Sequence, residues 1–366
     1  MSSLTRTIVL LATAAGALAV AVVSLVMMLA PAGDALPSSL VGHLGAGVEL
    51  ALALTGALTA LLVSVFALTA RSSARRAVST GLLRTATLVA ALVLALTTPG
   101  GIIPAAGYTF AATVLVGGAV LIVLVVLRRP WLGLLLAAAV GVLAFAMAGL
   151  GFGTLAVQIL GGFGSLFPLA AVALTHVVAA AGLLVWSIGE SRGARGGFAE
   201  AVLRHRRPIT IIAAACALPY VIARASWLTP WPLFGGSAEL FAQEPAARVL
   251  GLVLGAGMLA GGVLTMGLIR PWGERFPRVF AGVGGRPVPP ALAIIPASVV
   301  SVLFTAAGVQ FTLEGAGSIS HTAYLLLMFP FWLWGPLLGL AAWGYAMNRE
   351  TPLVSPAPPV GVVRTR

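Results

Sequence analysis

Four residues stand out for what their types could do at their positions: Arg224, Trp227, Glu49 and His176. Arg224 lies in LPYVIARASWLTPWPLFGG, after Pro219 and just before Trp227 and Trp231. A proline removes one helical hydrogen bond and can kink the segment. That kink would turn Arg224 toward a cavity, where it would pair with Glu49 or grip an anionic ligand group. The competing reading has Arg224 snorkelling to head groups beside its tryptophans. His176, in LTHVVAAAG, falls near the middle of an apolar run. An ionisable group at membrane depth marks a site, whereas a neutral imidazole equally suits a structural hydrogen bond to a neighbouring helix.

The remaining candidates are carboxylates and histidines between apolar runs. Asp34, His43 and Glu49 share one connection, and Glu239, Glu244, Glu314 and His321 fall on later ones. Such groups could hold a cation or a proton, or act as a base on a lipid-linked substrate; most exposed carboxylates are simply solvated. With one Asp, eight Glu and four His, the chain has no GxxxxGK[ST], HExxH or CxxC and no paired aspartates. These absences exclude ATP-driven transport, argue against Asp-dependent prenyl transfer, and predict neither a metal nor a cofactor. GGFGS, residues 161–165, lacks the Gly-x-Ser-Gly order of an intramembrane serine protease. The single Cys216, inside an apolar run, reads as a small buried hydrophobe.

The elements that position these residues are bilayer-length helices. Charged residues make up 8% of the chain and hydrophobic residues 60%, with a mean hydropathy of +1.08, against about 25% charged in a soluble domain. Apolar runs of 19 to 24 residues recur, and roughly 20 residues cross the hydrocarbon layer. The expected fold is therefore an all-α, polytopic transmembrane bundle of about ten spans. These fall near 7–30, 48–70, 82–98, 109–127, 131–149, 166–188, 208–226, 248–269, 291–311 and 322–346, within a single domain over 1–346, with a disordered cytoplasmic tail over 347–366. The first run, about 24 residues long, exceeds a signal-peptide core and reads as a retained span.

Connections alternate in character. Arg6, RSSARRAVSTGLLR, Arg128–Arg129, GESRGARGGFAEAVLRHRRP, Arg270–Pro290 and the tail hold 19 of the 21 arginines. Arg-rich short loops stay cytoplasmic, so both termini are expected inside. The net charge of +12 then serves topology and anionic lipid head groups, not nucleic acid. All 21 basic residues are arginine and none is lysine, a codon bias of high-GC bacteria, which predicts a bacterial cytoplasmic membrane. Trp131 and Trp272, each after Arg-Pro, read as interfacial anchors. VLRRPWLG and LIRPWGE recur 141 residues apart, consistent with a duplicated four-helix unit or simply with a good way to end a helix. Pro330 and Pro336 are expected to break the last span, and Pro296 the ninth. Residues 150–165, Gly-rich and apolar, are read as re-entrant or as an interfacial helix. GLVLGAGMLAGG, Gly251–Gly262, sets close helix packing.

WGERFPR followed by GGRPVPP, with PYVIARASW and WPLFGG upstream, resembles a pattern in uncharacterised multi-spanning membrane proteins of high-GC bacteria. The resemblance covers mainly the C-terminal half and implies membrane residence without an activity. Three functional readings follow: a secondary transporter or permease, favoured by short loops and proline-broken helices; a membrane-embedded enzyme acting at the outer face; and a non-catalytic scaffold subunit.

Overall fold

A computed structural model describes residues 3–29, 39, 41–69, 81–100, 119–120, 122–149, 153–191, 196–278, 284–314 and 317–349. Among these the chain is helical, without strands, and carries two isolated β-bridges, Ser39–Pro99 and Arg275–Pro287. The helices are α1 (Ser3–Leu29), α2 (Ala46–Thr69), α3 (Gly81–Leu96), α4 (Pro130–Met147), α5 (Gly153–Glu190), α6 (Gly197–Arg204), α7 (Arg206–Ala215), α8 (Leu218–Ala225), α9 (Ala238–Gln243), α10 (Pro245–Met266), α11 (Pro290–Glu314), α12 (Ile319–Met328) and α13 (Phe331–Asn348). Seven segments are long and apolar enough to cross a bilayer: Ser3–Leu29, Ala46–Thr69, Leu169–Glu190, Arg206–Leu228, Pro245–Met266, Pro290–Leu313 and Ile319–Asn348. Leu83–Leu96 and Pro130–Val142 are apolar but shorter. Most of the expected 109–127 span and the tail beyond Arg349 lie outside the described residues.

The packing is that of a protein in lipid. α2 buries Ala53, Gly56, Ala57, Ala60, Val63, Ser64 and Ala67, and α1 buries Leu10, Thr13, Gly16, Ala17, Val20, Ala21 and Ser24. Their spacing of three and four keeps small residues on one helical face. The large side chains of the same helices, Leu11, Leu18, Val22, Leu62 and Val65, are exposed. Water would drive the opposite arrangement; a hydrocarbon solvent leaves close backbone approach to decide which face turns inward. At the α1–α5 crossing, a Cβ on Gly16 would lie 2.9 Å from the Thr175 carbonyl oxygen.

One group comprises α1, α2, α3 and α5; α11 joins it by packing on α3 and α5, and α13, α7 and α10 follow in succession. The tightest seam is α11 against α13. A Cβ on Gly308 would stand 2.2 Å from the Trp332 nitrogen, and one on Gly335 2.4 Å from the Thr305 nitrogen. Neither position admits a side chain unless a backbone moves. Phe304 stacks on Phe331 with centroids 4.3 Å apart and meets Trp334 at 4.8 Å, filling the space beside the seam.

Three expectations about helix continuity change. Residues 153–190 form one helix of 38 residues, about 57 Å long at 1.5 Å per residue, so the 150–165 stretch is neither re-entrant nor a separate interfacial helix from Gly153 onward. Pro330 does break the last span, between Met328 and Phe331, but Pro336 and Pro296 lie inside continuous helices. The seventh span loosens at Cys216–Ala217, immediately before Pro219 at the start of α8. The two Arg-Pro-Trp motifs also differ: Pro130 begins α4 directly and Trp131 is exposed, whereas Pro271–Gly273 is a single 3-10 turn. There Trp272 covers Gly267, where a Cβ would come within 2.5 Å of the indole. Trp272 thus packs on the end of its own span.

Candidate ligand-binding cavity

Arginines of several segments converge on one end of the bundle. Arg6 pairs with Glu190 at 3.2 Å and reaches the Ala67 carbonyl at 3.4 Å, tying the start of α1 to the ends of α2 and α5. Helix C-termini carry partial negative charge, which suits a guanidinium there. Arg206 lies against Gly344. Arg349 donates to the carbonyls of Glu274 and Val288 at 3.1 and 2.8 Å, Tyr345 donates to the Gly273 carbonyl at 2.8 Å, and Asn348 donates to the Glu274 carboxylate at 3.3 Å. The described parts of the segment expected to be a stiff loop, residues 270–278 and 284–290, are docked on the end of α13. The two limbs pair through Phe276 N–H to the Arg286 carbonyl and Gly285 N–H to the Phe276 carbonyl.

Between α3, α5, α6, α11 and α13 this end opens into a cavity of about 620 Å³. Its walls are Leu88, Leu184, Ile188, Phe198, Leu340 and Trp343, and its polar groups belong to Arg84, Thr85, Ser187, Ser191 and Ser301. Ser301 and Gly339 face each other across its floor, where a Cβ on Gly339 would sit 2.8 Å from the Ser301 hydroxyl. The lack of bulk at these two positions makes the space. Pro336, which also lines the cavity, is 13 residues from Arg349 along the chain, about 20 Å at helical rise, so the cavity reaches well into the bundle from the arginine-rich end.

Among the described residues, Arg84 is the only charged group in the walls. Its guanidinium lies over the Trp343 ring at 4.8 Å, and no described carboxylate pairs with it. Trp343 is itself held by an indole hydrogen bond to the Ser191 carbonyl at 3.2 Å. Ser191 donates its hydroxyl to the Ser187 carbonyl, and Ser301 donates across helices to the Gly335 carbonyl at 2.7 Å. Among the described residues that line the space there is no histidine, cysteine or carboxylate beside Ser187, Ser191 and Ser301 to act as a base.

The residues singled out from the sequence lie elsewhere. Glu49 accepts a hydrogen bond from the Ser39 amide at 2.9 Å, and Ser39 bridges to Pro99, so the carboxylate ties the α1–α2 connection to the end of α3. His176 is buried, and its Nδ1 is 2.9 Å from the Val172 carbonyl of its own helix, not a neighbouring one. Arg224 is not brought to Glu49: α2 packs on α1, α3 and α5, whereas α8 packs on α10 and α12, and no ion pair joins the two residues.

Arg224 is instead inserted between aromatic rings, 4.7 Å from Tyr220 and 4.1 Å from Trp227. Trp227 meets Phe241 at 5.1 Å, and Arg248 lies over Phe241 at 5.5 Å. The result is an alternating stack, Tyr220–Arg224–Trp227–Phe241–Arg248, linking α8, α9 and α10 at the end opposite Arg349. The Trp227 indole also donates to the Leu233 carbonyl at 2.8 Å, and a Cβ on Gly251 would come within 2.2 Å of its ring. Trp227 is thus a packing residue that seats the 229–237 loop. His43, Glu239, Glu244 and His321 are exposed, and Asp34 lies outside the described residues.

Sequence reasoning does not single out Arg84, which lines the cavity, because it counts with the Arg-rich connection 71–84 as a topology signal. The cue was its position within GLLRTATLVAALVLAL, inside α3 itself. Among the described residues, no three His, Cys, Asp or Glu come close enough together to hold a metal ion. No known protein family, curated protein or solved structure matches the chain.

Proposed function

We propose that this integral membrane protein is a permease of a bacterial cytoplasmic membrane, with about ten spans, both termini inside, and the Arg84 cavity as its inward-facing binding site. The observation that carries the reading is the cavity itself: about 620 Å³, within the range of small-molecule sites, entering from the arginine-rich end and stopping short of the other. Segregation of arginines to that end supports its cytoplasmic placement. The expected spans 82–98 and 131–149 correspond to the shorter apolar helices, which agrees with a count near ten.

The enzyme reading is weaker because its intended groups are dispersed: Glu49 is engaged by Ser39, Arg224 is stacked between rings, and the cavity has no acid or base. The scaffold reading leaves the cavity without a use. A hinge for alternating access is available at Pro330, where α12 and α13 part, and at Cys216–Ala217.

The test uses single cysteines in a Cys216→Ala background. Leu340→Cys and Ser187→Cys are probed with a membrane-impermeant maleimide in inside-out and right-side-out vesicles. A permease exposes them from the inside in one state and from the outside in another, as solute conditions change. Reaction from one side only under every solute condition contradicts transport.

A further inference from the structure

The cavity's chemistry also narrows what it holds, given the reading that it is a binding site. We propose that its ligand is an amphiphilic anion: an acidic head group held at Arg84 and the first turn of α6, with an apolar chain lying along Leu184, Leu340 and Trp343.

Four observations converge. The Arg84 guanidinium lies 4.8 Å from the Trp343 ring centre in the cavity wall, with no described carboxylate as partner, and its N–H groups suit an oxyanion. Gly196–Ala199, the start of α6, lines the same cavity. Gly196 has φ 129° and supplies no capping side chain, and the first-turn amides of a helix have no intrahelical acceptor, so this turn adds partial positive charge on the same side. Glu200, in that turn, is exposed and does not line the cavity. The remaining wall is mostly aliphatic and aromatic, its hydroxyls are those of Thr85, Ser187, Ser191 and Ser301, and Ser191 and Ser301 already donate to carbonyls. A sugar or zwitterion would bring more polar groups than the walls can satisfy, at a cost for each one left unpaired; a single anion on an apolar chain would not. Finally, Leu88 and Phe198, which line the cavity, are 41% and 68% exposed and give its opening an apolar edge. An amphiphile can therefore enter along the leaflet without crossing a polar barrier.

The ligand's source is a free amphiphilic acid or an anionic bilayer lipid, and one experiment separates them. The full-length protein in neutral detergent is photolabelled with a diazirine-bearing decanoate, and the labelled peptides are mapped by mass spectrometry. The expected labels fall on the peptides carrying Leu184, Leu340 and Trp343, and labelling falls at least about tenfold in Arg84→Gln, the scale of one lost charge-assisted contact. Gly197→Leu, at a position where an added Cβ meets nothing within 4 Å, blocks the mouth and lowers labelling without touching Arg84. Thermal melts confirm that both variants are folded. Decanoate competes and decanol does not; if phosphatidylglycerol competes in place of decanoate, the proposal stands with lipid as the source. Cavity labelling that is absent, unchanged in both variants, or competed equally by decanol overturns it. The outcome is separable from transport. Loss of labelling with cavity cysteines that still switch sides removes the ligand class alone, while labelling with cysteines that never switch removes the permease.

Discussion

The two ends of the bundle give arginine different partners. At one end Arg6 and Arg349 reach carbonyls and a carboxylate on other segments, and Arg84 lies over Trp343 in the wall of the cavity. At the other end Arg224 and Arg248 are interleaved with Tyr220, Trp227 and Phe241, and Phe234, in a left-handed backbone at φ 53°, brings its ring to Tyr324. A non-glycine residue in that region is uncommon and is held by its surroundings. The comparison shows that a conspicuous intramembrane arginine is not by itself a binding site. Arg224 sits between two rings, whereas Arg84 sits over one ring in the wall of a cavity.

The largest effect should come from the seam common to both ends. Gly308→Val forces a backbone shift against Trp332 and is expected to cost about 3 kcal/mol, the upper range for overpacking, read as a lower melting temperature in detergent. Arg349→Gln, which loses two bonds to the Glu274 and Val288 carbonyls, should cost about 2 kcal/mol. It should also speed amide exchange in residues 273–278 and 284–288 while leaving the opposite end unchanged. Arg224→Gln removes two cation–π contacts, about 1–2 kcal/mol together, and should lower the melting temperature without altering photolabelling of the cavity. Loss of labelling in that variant would mean that the two ends are coupled. The smallest effect is expected for Glu190→Gln, whose half-exposed pair with Arg6 should contribute at most about 1 kcal/mol and fade with added salt.

Much of the helix layout was legible because a bilayer imposes a length on apolar runs, and seven segments meet it. Which helices neighbour one another was not, since hydropathy carries no partner information. Glu49 and Arg224 therefore looked like a pair, although they belong to helices packed in different groups. Proline positions were only half informative. Pro330 ends a helix, whereas Pro336 stays inside one, in a stretch where Gly335 sits against Thr305 and its carbonyl accepts from Ser301. The docking of Arg270–Pro290 was hidden because Arg349 and Tyr345 find backbone carbonyls there, and any residue supplies a carbonyl. Arg84 was hidden by the strength of the topology signal, which accounts for an arginine near a helix end without asking what it touches.

The central claim is that the arginine-rich end holds an accessible cavity while Ala223, beneath the Arg224 rings, is closed off. Its most direct test compares thiol reactivity of Leu340→Cys, in the cavity wall, with that of Ala223→Cys, 2% exposed beneath the Arg224 stack, both in Cys216→Ala protein in detergent. The account predicts that a polar maleimide modifies the cavity position at least about tenfold faster, the ratio set by about 1.4 kcal/mol of opening free energy. Equal rates, or a faster reaction at position 223, would contradict it.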